Sequence, residues 1–168
     1  MSLSEVVAWG PAALFGGFLL IAAGVDAVRR KIPNWTVIGL IATYLAALAL
    51  GLAPSTWPSA LAAAAIAFGV TYPLYHFGFL GAGDTKLFTA VALFAGANHL
   101  LAVAVLTTLA GGALALGSII LRPKRALRGL TSRGRAEGAG RGIPYGVAIA
   151  LGGIGTAMAI QGFFPSLI

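Results

Sequence analysis

The chain has 168 residues, of which 59% are hydrophobic and 9% charged, with a mean hydropathy of +0.95 and a formal charge of +7. A soluble domain averages about 25% charged residues, so these few charges cannot cover a water-facing surface and the chain is read as one integral membrane domain, 1–168. It contains no Cys, which excludes disulfides and thiol-ligated metals.

Apolar runs alternate with short breaks rich in Pro, Gly or charge. Residues 1–10 carry Glu5 and no Lys or Arg, so the first run is read as a retained helix rather than a signal peptide. The pattern predicts an all-α, polytopic fold with helices at about 9–28, 35–53, 59–78, 82–97, 99–121 and 143–163. From Thr85 the fourth run extends for about 20 Å at 1.5 Å per residue, short of a hydrocarbon core of about 30 Å. Either Gly81–Asp84 lies at membrane depth, or the fourth and fifth helices form a shallow pair. Pro73 is expected to kink the third helix. Gly16-Gly17, Ala22-Ala23-Gly24 and Gly111-Gly112 are expected to mark close helix contacts. Trp9, Trp35 and Trp57 fall at predicted helix ends, as an interfacial aromatic belt requires.

The eleven basic residues sort onto alternate breaks: Arg29, Arg30 and Lys31 after the first helix, Lys86 before the fourth, and seven between Arg122 and Arg141. Basic loops stay cytoplasmic, so about six helices with both termini outside satisfy the rule without exception. Orientation alone then explains the basic loop at about 122–142 and the net charge, with anionic lipid contact as a further role and no nucleic-acid partner required.

The chain contains two Asp, Asp26 and Asp84, each at the cytoplasmic edge of an apolar run. Carboxylates at membrane depth are costly and tend to be functional. Residue types alone leave two readings. Each Asp could cap a helix or pair with a nearby base. If the two meet, they would share one proton, one taking a proton from water while the other donates to a peptide carbonyl. Gly81 and Gly83 would then let a substrate backbone approach Asp84. His76 and His99 are predicted at opposite faces, which argues against a shared metal, although His76 could approach the Gly81–Asp84 segment.

Three segments together resemble the type IV prepilin peptidases, membrane aspartic proteases of the Gly-x-Gly-Asp kind: Asp26 followed by Arg29-Arg30-Lys31-Ile32-Pro33-Asn34, then Gly81-Ala82-Gly83-Asp84-Thr85-Lys86-Leu87, then Ile143-Pro144-Tyr145-Gly146. The resemblance implies that Asp26 and Asp84 are the catalytic pair, with no cofactor or metal. It implies cleavage of the basic leader from a prepilin (a Flp-type pilin or pseudopilin) at the cytoplasmic side of a bacterial or archaeal inner membrane. Without Cys the chain resembles the short, peptidase-only branch, for which N-methyl transfer is not expected. Lys86, Asn34, Pro144 and Tyr145 join Gly81 and Gly83 as supporting candidates. Each has a structural alternative: Lys86 as an interfacial anchor, Pro33-Asn34 as a turn and N-cap, Pro144 in a first helical turn. From other classes, a proton- or ion-coupled carrier would use the same aspartates but at the bilayer midplane, and a non-catalytic assembly subunit would need neither.

Overall fold

The computed structural model describes residues 3–121 and 144–159, with side chains from Trp9 onward. Its elements are helices α1 (Leu3–Arg29), α2 (Asn34–Ala49), α3 (Trp57–His76), α4 (Ala82–Leu121) and α5 (Tyr145–Ala159), with no strand among the described residues. The N-terminus before Leu3, the basic 122–142 loop and the expected end of the last helix at 163 lie outside the described residues.

α4 is two helices. Gly96 breaks it with φ 58° and ψ −179°, a left-handed conformation that suits glycine. A Cβ there would lie 2.8 Å from Ser55 Cβ and 2.8 Å from Ser59 Oγ. The chain reverses at this point. Val91 before the break packs at Gly153, and Thr107 after it packs at the adjacent Gly152, so the two arms run antiparallel at one level. A short fourth helix paired with a fifth is one of the two arrangements expected from the sequence.

Two other ends are set locally. α2 stops at Ala49, four residues before the predicted boundary, because Gly51 closes it with Gly51 N–H donating to Leu48 O (3.2 Å) and Leu52 N–H to Ala47 O (2.8 Å). Gly78 closes α3 with the equivalent pair, Gly78 N–H to Tyr75 O (2.9 Å) and Phe79 N–H to Leu74 O (2.8 Å). Pro73 lies in the last turn of α3 and the helix runs through it, with Phe77 N–H donating to Pro73 O.

α4 is central. It packs on α2, α3 and α5, while α1 packs on α2 and α5. Phe15, Leu19, Leu40, Leu87, Phe94, Val103 and Ile149 form the buried core. Phe94 stacks obliquely on Phe15 at 4.6 Å and takes the edge of Tyr44 at 5.5 Å. Gly152 and Gly153 make the close contacts, against Thr107 and against Leu19 and Val91. Gly111 approaches Tyr145 as expected, but Gly16, Gly17, Gly24 and Gly112 face open space instead of a neighbour. Only packing reveals which face of a helix turns inward.

Large apolar side chains cover the outside, among them Leu20, Ile38, Leu61, Val70, Leu109 and Ile120, which suits lipid rather than water. Trp9, Trp35 and Trp57 are exposed too, with Trp9 inside α1 rather than at its end. Trp9–Arg29, Trp57–His76 and Ala82–Leu121 are long and apolar enough to cross a membrane. The last of these is not one straight span, given the reversal at Gly96. α2 and the described α5 are shorter apolar helices of 16 and 15 residues, so three of the described helices, not six, have membrane-spanning length.

Candidate active site

Both aspartates come to the same end of the bundle. α1 carries Asp26 in its last turn, where it is buried at 6% exposure. α4 carries Asp84 in its first turn, partly exposed. The two line one open cleft of about 290 Å³ together with Arg30, Lys31, Ile32, Gly81, Ala82 and Gly83.

Each carboxylate is held the same way. Gly81 N–H donates to Asp84 Oδ2 at 3.2 Å, and Gly146 N–H donates to Asp26 Oδ2 at 2.9 Å. Asp84 thereby reaches back to the residue before its own helix, the acidic half of a capping box. Asp26 caps a different helix, satisfying a first-turn N–H of α5 that has no partner within that helix. The capping expectation therefore holds for both residues. It uses one oxygen of each carboxylate.

The glycines are required by the carboxylates themselves. A Cβ on Gly81 would lie 2.7 Å from Asp84 Oδ2, and one on Gly146 would lie 2.9 Å from both Asp26 Cβ and Oδ2. Gly83 faces Ile32, whose Cβ would be 3.1 Å from an added methyl, so it seats the 31–33 segment against the start of α4. Gly81 and Gly83, the residues expected to give a substrate backbone room at Asp84, both line the cleft as well as making these contacts within the protein.

The other candidates separate from the cleft lining. Lys86 Nζ donates to Asn34 Oδ1 at 3.3 Å, an exposed link between α4 and α2. Asn34 is therefore not the side-chain cap of α2. Pro33 occupies the cap position, and Thr36 Oγ1 donates to Pro33 O at 2.7 Å. Pro144 precedes α5 and accepts the Val147 N–H at 3.1 Å, while Tyr145 packs against Gly111. His76 ends α3, exposed and edge-on to Phe77, and is not among the cleft residues. Gly146 stands in the Ile143-Pro144-Tyr145-Gly146 segment, which by itself assigns it no role. The available signal was a glycine at the start of a helix, where an unpaired N–H seeks an acceptor.

The type IV leader peptidase family model matches residues 13–116, more than half of the chain and inclusive of both aspartates. The chain belongs to the type IV leader peptidase family. No curated protein and no solved structure matches it. As a type IV leader peptidase family member with apolar, membrane-length helices, it is a membrane protein of a peptidase family whose substrates in general are prepilin-type proteins. Gly146 lies beyond the matched residues, yet it holds a carboxylate within them.

Proposed function

We propose that the chain is an aspartic endopeptidase that removes the basic leader of prepilin-type substrates, using Asp26 and Asp84 to activate a water. The observation that carries this reading is that the two aspartates, from opposite ends of separate helices, line one cleft.

The chemistry follows from a pair that shares one proton. The ionised carboxylate takes a proton from water as the water oxygen bonds to the scissile carbonyl carbon. The protonated carboxyl gives its proton to the carbonyl oxygen. In the tetrahedral intermediate, the C–N bond breaks as the leaving nitrogen takes the proton held by the first carboxyl. The second carboxylate recovers a proton from the gem-diol. One water is consumed, and the pair ends with its single proton.

The sidedness of the reading rests on charge. Arg29, Arg30, Lys31 and Lys86 all lie at the cleft end of the bundle, which by the positive-inside rule faces the cytoplasm of the cell's inner membrane. Flp-type pilins or pseudopilins are the proposed substrates and leader cleavage without methyl transfer the proposed activity, on the likeness of the three segments to the short branch. Co-expression of a candidate prepilin with wild type, Asp26→Ala and Asp84→Ala at equal abundance tests this. Processing by the wild type alone is expected. Equal processing by all three would leave the aspartates as helix caps only.

A further inference from the structure

Helix α1 ends on the wrong residue type for its backbone. Arg30 has φ 54° and is the one non-glycine at positive φ among the described residues. Its N–H donates to Asp26 O at 2.9 Å, so the left-handed residue closes the turn that carries Asp26. The residues that close α2 and α3 are Gly51 (φ 70°) and Gly78 (φ 76°). A side chain in this region carries a conformational cost that glycine does not. The chain uses glycine at two such ends and arginine at the third.

Membrane orientation does not explain the choice. Arg29 and Lys31 flank the position and supply positive charge at unstrained backbone. Both Arg30 and Lys31 line the cleft with Asp26, and what distinguishes position 30 is that it combines this place with the left-handed backbone that closes the turn carrying Asp26. The groups around Asp26 are Arg30 and Lys31 from the segment after α1, Asp84 from α4, and the Gly146 N–H from α5. Of these, the two side-chain cations share one short segment, with Arg30 at its strained position.

We propose that Arg30 is a positioning residue of the aspartate pair: its guanidinium keeps the negative charge of the pair on Asp26 and leaves the shared proton on Asp84. Asp26 is then the base that takes the proton from water, and Asp84 the acid that protonates the carbonyl oxygen. The inference rests on the aspartic peptidase reading above, and strain retained at a reacting site is its structural mark.

The test uses the full chain in detergent and a peptide made of a basic leader followed by an apolar helix. Arg30→Gly is expected to melt no lower than wild type, because it relieves the left-handed strain. Its kcat should fall at least about tenfold with KM unchanged, since only charge placement at the reacting pair is lost. Arg30→Lys should keep most of the wild-type kcat, and Arg30→Gln should fall with Arg30→Gly. Wild-type kcat in Arg30→Gly or Arg30→Gln overturns the proposal. So does a raised KM at unchanged kcat, which would make Arg30 a substrate contact. If Arg30→Gly does not fold, the contrast between Arg30→Lys and Arg30→Gln decides. Asp26→Asn and Asp84→Asn are run alongside. Cleavage that survives in them overturns the dyad itself, whereas cleavage lost in them and intact in Arg30→Gln overturns only the assignment to Arg30.

Discussion

The two ends of the bundle use the same small residue for opposite purposes. At the end away from the cleft, Gly96 lets the chain reverse against Ser55 and Ser59, and both serines are tied off by hydrogen bonds. Ser59 Oγ accepts the Ala97 N–H at 2.8 Å, Ser55 Oγ donates to Leu93 O at 2.6 Å, and Tyr44 Oη donates to Ser55 O at 2.9 Å. At the cleft end, Gly81 and Gly146 each present an N–H to one oxygen of a carboxylate and leave the cleft open beside it. One end uses its polar groups for closure. The other, among the described residues, holds each carboxylate by one oxygen, which on the proposed reading leaves the second oxygen for chemistry. The lesson is that a buried polar group is stabilising when fully satisfied and chemically useful when only part of it is.

That contrast can be broken most strongly at the aspartates. Asp26→Asn or Asp84→Asn should lower cleavage at least about 100-fold, the lower range of a general acid–base contribution. The glycine–carboxamide contact survives in either variant, so melting temperature should change little. Both are read from prepilin processing and a thermal melt on the same membranes. Melting temperatures that collapse while residual activity persists would place the aspartates with the far-end seam.

Gly146→Ala comes next. Its methyl would displace the Asp26 side chain, so kcat should fall by about 10- to 100-fold, the scale on which misplacement near 1 Å acts, with KM nearly constant. Gly96→Ala is the matching change at the far end. It combines a left-handed alanine with overlap onto two serines, a loss of about 2–4 kcal/mol. Cleavage per folded molecule should be retained. A denaturation curve paired with an active-fraction assay separates the two variants, and a Gly96→Ala protein that is stable but inactive would contradict the division between the ends.

The smallest effect is expected at Lys86. Lys86→Ala removes one exposed hydrogen bond to Asn34, about 0.5–1.5 kcal/mol at most, and should leave kcat near wild type. A large loss of kcat would bring Lys86 into the cleft chemistry from which its position separates it.

Much of this was legible along the chain. The apolar runs, their Gly and Pro breaks and the scarcity of carboxylates identified a helical membrane protein and singled out Asp26 and Asp84. The alternation of basic residues put both at one end before any coordinates. The shortness of the run after Asp84 left two arrangements open, a site at membrane depth or a helix pair, and the pairing across Gly96 is visible only in the structure. The misses share a cause. Gly16-Gly17 is expected to mark a contact and faces open space, while Gly152, which no sequence signal distinguishes, makes the tightest approach among the described glycines. Composition does not say which way a helix is rotated.

What the sequence alone determined is therefore local. Hydropathy sets where helices lie, glycine and proline set where they stop, and charge sets which ends group together, because each acts within a few residues or through the bilayer as a common solvent. What only the tertiary structure decided is who meets whom. Asp26 accepts the N–H of Gly146, 120 positions away, and Lys86 meets Asn34 across two helices. Those meetings depend on helix rotation and depth. Rotation and depth are fixed by the packing of Phe15, Leu19, Val91 and Thr107 around Gly152 and Gly153 of α5, which no single stretch of sequence contains.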